Sequence, residues 1–374
     1  MAKGNVKKVF PGNNTSAGFY SFYDYIIKPD ARRIFVIKGG PGVGKSTMMK
    51  NIGEALLEKG FDVEFHCCSS DNGSLDGVVI PSLNVALIDG TAPHIVDPKN
   101  PGAVDEIVHL GDYWNEEKMV EAKEEIIRCN KRVGRLFKIA YSYLKEARVA
   151  HDELASYYEE ATDWGAVNKL IWEIKAKLFA GVTPRFEKTA EVRRLFASAN
   201  TPGGPMNYIE TILRDVKQLY VLQGEPGTGM EKLLDAVLEE GVRLGLDCEA
   251  YHCPFDPDKL ELLYYPKLRK AVLRLTERLD FEPQYLPDLQ VQEVFDFNEF
   301  VNPDVAKTYA EEIADAKRRI RANFQRAWKK IKEAKAVHDD MEKYYIPAMD
   351  FAAINKKKEE ILQRILSLTA VAAK

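Results

Sequence analysis

The chain repeats itself, and that repetition limits its fold more than any other feature. Gly39-Gly-Pro-Gly-Val-Gly44 returns as Gly224-Glu-Pro-Gly-Thr-Gly229, displaced by 185 residues. At the same displacement Gly60, Asp62, Glu64, Cys68, Asp71 and Leu75 meet Gly245, Asp247, Glu249, Cys253, Asp256 and Leu260. Upstream, Phe10, Asn14, Thr15 and Gly18 meet Phe196, Asn200, Thr201 and Gly204 at a displacement of 186. Towards the ends of the halves, at 187, Lys145-Glu-Ala147 meets Lys332-Glu-Ala334, His151-Asp152 meets His338-Asp339, and Tyr157-Tyr158 meets Tyr344-Tyr345. An alignment so nearly ungapped is a duplication. The 374 residues therefore read as two copies of one unit, 1–187 and 188–374.

Each unit divides again. Arg33-Ile-Phe-Val-Ile-Lys38 reads as a short buried strand, and Lys45 to Lys59 as a helix closed by Gly60. Asp62 to Cys67 and Val85 to Ile88 read as further strands, so the pattern predicts α/β units with parallel sheets. From about Asn115 to Leu178 glycine and proline nearly vanish, and Ile126, Val133, Leu136, Ala140, Leu144 and Ala147 fall on one helical stripe. A helix from Asn115 to about Tyr158 would run roughly 65 Å. The expected architecture is a sheet core over about 1–112 with a long helical hairpin over 113–187. The same plan recurs over about 188–298 and 299–374.

The chemistry concentrates after the first strand. Gly39, Gly40, Pro41, Gly42, Val43 and Gly44 precede Lys45, Ser46 and Thr47 at the start of a helix. Glycines open backbone angles that let successive N–H groups face an anion, and the helix start adds its positive end. In this pattern Lys45 reaches β- and γ-phosphates, Ser46 ligates Mg²⁺, and Thr47 meets the α-phosphate. Asp89, ending the apolar run Val85-Ala-Leu-Ile88, is the expected carboxylate on the Mg²⁺ side. The second copy has Met230 and Glu231 for Lys45 and Ser46, and Arg274 for Asp89. It keeps the glycines but loses lysine, hydroxyl and acid together, which predicts a structural or regulatory role.

The copy also serves as a filter. Asp71 is placed for a catalytic base, but Asp256 matches it, so a turn or capping role stands beside catalysis. His94 has no counterpart and follows Asp89 closely; γ-phosphate sensing and simple packing both remain open for it. His66-Cys67-Cys68 lacks a second ligand pair at zinc spacing, which favours buried thiols. His151-Asp152 survives in the disabled half, which favours a structural hydrogen bond. Asn14-Thr15-x-x-Gly18 reads as a helix cap rather than a cover for base or ribose.

These residues resemble the P-loop NTPase superfamily. The whole chain is similar to a family of largely uncharacterised bacterial ATPases with two such units. Phe10-Pro-Gly-Asn-Asn-Thr15, Gly18-Phe-Tyr-Ser-Phe-Tyr23, Cys68-Ser-Ser-Asp71 and Asp89-Gly-Thr-Ala-Pro-His94 carry that likeness. The resemblance implies ATP binding and hydrolysis with Mg²⁺, and brings no settled substrate. No Asn-Lys-x-Asp guanine motif follows the third strand, so ATP is expected over GTP. An ATPase coupled to its helical arms or to a protein partner is the leading reading. A small-molecule kinase, with an acceptor between Ser69–Ser82 and Asp89–Gly111, and a non-hydrolysing nucleotide-gated scaffold are the alternatives.

Bulk properties exclude other classes. A net charge of −4 gives no field for nucleic acid, and the basic run Lys317, Arg318, Arg319 and Arg321 sits among acids on a helical pattern, as a solvated face does. No apolar stretch approaches a membrane span. Five cysteines without a secretory leader point to reduced thiols and a cytoplasmic protein.

Overall fold

A computed structural model describes residues 2–92 and 95–371. The apolar run Ile34–Ile37 is buried on both faces and lies inside the first sheet. In the first half the strands are β1 (Val6–Val9), β2 (Gly12–Thr15), β3 (Gly18–Ser21), β4 (Arg33–Lys38), β5 (Val63–Cys67), β6 (Leu75–Ile80), β7 (Val85–Asp89) and β8 (Asp105–His109). Their counterparts are β9 (Val192–Leu195), β10 (Ser198–Thr201), β11 (Gly204–Asn207), β12 (Gln218–Gln223), β13 (Cys248–His252), β14 (Leu260–Tyr265), β15 (Lys270–Arg274) and β16 (Val291–Asp296). The helices are α1 (Lys45–Glu58), α2 (Glu116–Glu121), α3 (Lys123–Ala161), α4 (Trp164–Leu178), α5 (Ile209–Ile212), α6 (Met230–Arg243), α7 (Pro303–Thr308), α8 (Ala310–Tyr345) and α9 (Phe351–Val371).

The sheets share one order, β1-β5-β6-β7-β4-β8 and β9-β13-β14-β15-β12-β16. Neither is purely parallel as expected. Strands β4, β7 and β8 pair in parallel, but β6 runs antiparallel to both β5 and β7. The reason is local. Ser69–Ser82 was expected as a loop, yet Leu75-Asp-Gly-Val-Val-Ile80 is buried throughout and forms β6. Only a tight turn joins it to β5, with the Ser74 N–H donating to the Asp71 carbonyl at 3.1 Å. A connection so short permits only an antiparallel pair.

The helices depart further from expectation. No helical hairpin projects from each half; instead α3 and α8 pack along each other. Leu144, Ala147 and Leu154 of α3 share one buried cluster with Ala316, Ile320, Phe324 and Ala327 of α8. With 39 residues, α3 is about 58 Å long and carries the chain from the first sheet to the second. There α4 buries Val167, Ile171, Ile174 and Leu178 in one core with Leu233 and Val237 of α6. In return, α9 buries Ile354, Ile361, Leu362 and Ile365 among the first sheet and α1. The halves have exchanged helices. Bridges Trp114↔Met349 and Val301↔Thr162, equivalent under the repeat, pin the crossings.

The Asn14-Thr15-x-x-Gly18 element caps no helix. It forms the hairpin β2–β3, and its asparagines lock the halves together. Asn14 Nδ2 donates to the Asn200 carbonyl and Asn200 Nδ2 to the Asn14 carbonyl, both at 3.0 Å. Tyr141 on α3 then donates to Asn14 Oδ1, while Trp328 on α8 donates to Asn200 Oδ1. Ion pairs Lys7–Glu249 and Arg193–Glu64 repeat the symmetry along β1 and β9. The basic run on α8 is ion-paired as a solvated face: Lys317 with Glu225, Arg318 with Asp315, Arg319 with Asp315 and Glu153, and Arg321 with Glu277. No helix among the described residues is long and apolar enough to cross a membrane.

Candidate functional site

Strand β4 ends at Lys38 and the chain turns through Gly39–Gly44 into α1. Gly42 has φ +67° and Gly44, the N-cap of α1, φ +93°, both in the region that favours glycine. Val43 is fully buried and anchors the turn from below, while Thr47 faces solvent. Lys45 begins the helix. Its Nζ donates to the carbonyls of Gly39 at 3.0 Å and Gly40 at 2.7 Å, and lies 3.7 Å from Asp89 Oδ2. The lysine thus sits inside the loop it serves.

Asp89 reaches this point because β7 pairs with β4 in a register that sets Ile37 opposite Asp89. The Thr91 N–H donates to Asp89 Oδ1 at 2.9 Å, and the Thr91 hydroxyl donates to the Gly39 carbonyl at 3.0 Å. Burial raises the Asp89 pKa, opposed by the charge of Lys45. Ser46 Oγ accepts from the Leu75 N–H at 2.9 Å, which ties the head of α1 to the start of β6.

The next residue on β6 is Asp76, which the sequence reading passed over. It is fully enclosed, and its carboxyl is pushed up to about 7, first by burial and then by the charges of Asp89 and Asp71, against a hydrogen bond from Tyr23. A signal for it did exist. Glu261 stands at the same displacement of 185, in β14, and burial likewise pushes it up to about 7. An acid inside an apolar strand, present in both copies, marks a buried strand rather than a loop, and its presence in the second copy counts towards a role in the fold.

Asp71 does not stand free beside the cradle. It pairs with Lys335 of α8 at 3.2 Å, and its counterpart Asp256 pairs with Arg148 of α3 at 2.7 Å. Lys335 and Arg148 are themselves equivalent under the repeat, so these acids hold the crossed helices to the sheets. His94 lies outside the described residues. His151 does not make the expected hydrogen bond to Asp152: the distance is 3.8 Å, and its ring packs edge-on against Phe255. Arg148 takes Asp152 instead. Cys67 is a buried free thiol, raised to about 11 by burial. Its neighbour Cys68 is also free.

Side chains from the far end of the chain cover the cradle. A Cβ at Gly40 would lie 2.3 Å from the Tyr345 ring, and one at Gly42 would lie 3.1 Å from Glu342 and Ile346. These covering residues were invisible in sequence because helical stripes do not say which sheet they meet. The second cradle is covered by the equivalent exchange: a Cβ at Gly227 would lie 2.2 Å from the Ala155 carbonyl, and one at Gly229 would meet Val167. Gly227 (φ +86°) and Gly229 (φ +104°) keep the shape of Gly42 and Gly44. Its contents differ. Arg274 donates to Glu231 at 2.5 Å, at the positions that Asp89 and Ser46 hold in the first half. No family model, curated protein or solved structure matches the chain.

Proposed function

We propose that the first half binds Mg-ATP on Gly39–Thr47 and hydrolyses it, and that the crossed helices carry the nucleotide state to the second half. The observation that carries this reading is the convergence of Lys45, Ser46 and Asp89 on one glycine-shaped loop. An anion entering the loop offers Lys45 a better partner than two carbonyls, because a charge-assisted bond to phosphate is roughly twice as strong as a neutral one. Lys45 and the loop N–H groups then stabilise charge as it spreads over the γ-phosphate during in-line attack by water.

The residues present fit a divalent cation. Asp76 is a buried carboxylate and Asp89 a partly buried one, and both have raised pKa values, so each is costly to ionise without a compensating charge. Ser46 and Asp89 would hold Mg²⁺, which would neutralise the phosphate oxygens. Asp76 stands behind them to set the local field.

The kinase reading loses the loop it relied on, since Ser69–Ser82 contains β6. The scaffold reading keeps a specific support, the seating of Glu342 and Tyr345 on the loop. One experiment separates them: ADP release from Mg-ATP by the wild type and Lys45→Ala, with and without a pool of small metabolites. We expect slow release that metabolites leave unchanged and that falls at least about a hundredfold in the variant. Equal release from both proteins would sink the site assignment. Tight ATP binding without ADP would favour the scaffold, and strong stimulation by one metabolite fraction the kinase.

A further inference from the structure

We propose that the second half carries a metal-independent oxyanion site built on Arg274, Arg278 and Lys259, which takes a phosphate group as inorganic phosphate or a phosphomonoester. This goes beyond ATP hydrolysis in the first half and does not depend on it.

The repeat places the substitutions. Arg274, Arg278 and Lys259 stand in sequence where the first half has Asp89, Pro93 and Ser74, so three positions that are not basic in the first copy are basic in the second. They gather in space as well. Arg274 donates to Glu231, and Lys259 lies 3.7 Å from the same carboxylate. Two cations therefore answer the one acid at the head of α6, and Glu231 no longer presents an unbalanced charge to an incoming anion.

Donors remain over. Arg274 is 5% exposed and its Nε has no hydrogen-bond partner; the buried His151 Nδ1 has none either. The Arg278 guanidinium lies over the faces of Phe255 at 5.5 Å and Phe324 at 4.2 Å, and no carboxylate among the described residues accepts from it. Arg274 shares its one acid with Lys259, and Arg278 has only aromatic faces against it, so an added anion would find charge to answer. His151 registers the surplus: it is held down at about 4 by burial first, then by Arg278, Lys259 and Arg274. Of the nearby acids, Asp256 is taken by Arg148, and Glu261 is pushed up to about 7. The cluster is reachable from outside through Lys259, whose side chain is 32% exposed. A shallow cleft of about 500 Å³, lined by Lys317, Arg318 and Arg321, lies along α8. Lys317 pairs there with Glu225 of the second loop, and Arg321 with Glu277 next to Arg278. Arginine forks are the usual phosphate receptors, and here the one carboxylate at the head of α6, Glu231, is already answered by Arg274 and Lys259.

The test is calorimetric titration of inorganic phosphate in EDTA, on the Lys45→Ala protein so that the first cradle contributes nothing. Saturable binding is expected there. It should weaken at least about tenfold in Arg278→Gln and in Lys259→Gln, and persist in Arg278→Lys, with folding checked by circular dichroism. Absence of saturable binding in Lys45→Ala overturns the proposal. So does binding that both glutamine variants leave unchanged. Failure of ATP hydrolysis in the wild type would not alter any of these outcomes.

Discussion

Removing one member of the Glu231–Arg274 pair should harm the protein more than removing both. The side chains are 16% and 6% exposed and 2.5 Å apart. At an effective dielectric near 20 such a pair is worth about 4 kcal/mol, and stranding one partner typically costs about 3–5 kcal/mol. The structure makes the two losses unequal. Glu231→Gln leaves Arg274 buried without a paired acid, and should cost about 4 kcal/mol. Arg274→Met leaves Glu231 beside Lys259 at 3.7 Å, and should cost about half as much. The double variant, methionine at both positions, replaces the pair with apolar volume and should fall within about 1 kcal/mol of wild type. Urea unfolding followed by circular dichroism at pH 7.5, on all four proteins, gives the cycle. Burial opposes ionisation of Glu231, but Arg274 and Lys259 hold its pKa below the ordinary carboxylate value. A depressed folded pKa contributes stability above the unfolded value and loses it as pH falls, so the gap between wild type and Glu231→Gln should narrow on acidification below about pH 4. Single variants that each lose under about 1 kcal/mol, or a double variant as weak as the sum of the singles, would refute the reasoning.

Two further outcomes follow from other parts of the fold. Asp76 has a raised folded pKa of about 7, so the metal-free protein loses stability as pH rises from the ordinary carboxylate range to that value, and the loss is complete above it. Asp76→Asn should therefore raise the melting temperature more at pH 8 than at pH 5 in EDTA; an equal change at both would contradict the shift. The Glu342 side chain rests its Cβ and Cγ on Gly42 and so brings a carboxylate to the edge of the loop proposed to take phosphate. Glu342→Gln should tighten ATP binding about fivefold, equivalent to about 1 kcal/mol, and calorimetry showing weaker binding would overturn that role.

What could be read beforehand follows a physical division. The cradle and Asp89 were legible because each depends on a single strand and the turn after it, and because the copy showed which residues travel together. Asp76 was missed because an acid in a short apolar run reads as a loop, and only the antiparallel return through Asp71–Ser74 encloses it. The exchange of α4 and α9 was not legible at all. The stripe Val167, Ile171, Ile174 and Leu178 states that a face is buried, but either sheet would satisfy it. Asn14 and Asn200 misled in the same way: a cap accepts a backbone N–H on the amide oxygen and the cross-link donates the amide N–H to a backbone carbonyl, and the same side chain offers both.

The exchange also explains why a disabled cradle keeps its glycines. Gly227 is held at φ +86° with the Ala155 carbonyl where a Cβ would stand, so any side chain there would strain the loop and displace α3 together. The glycines that shape this turn seat a helix from the other half in both copies. That helix seat has a mechanical counterpart. At one end of α8, Lys317 pairs with Glu225 of the second loop; at the other, Glu342 and Tyr345 rest on the first. A helix of 36 residues is about 54 Å long and, packed along its length against α3, moves as a body rather than bending. Under the proposed coupling, displacing Tyr345 from the first loop would load the contact at Glu225. A coupling of about 1–3 kcal/mol, the usual range between linked sites, is within what one such ion pair and its packing can supply.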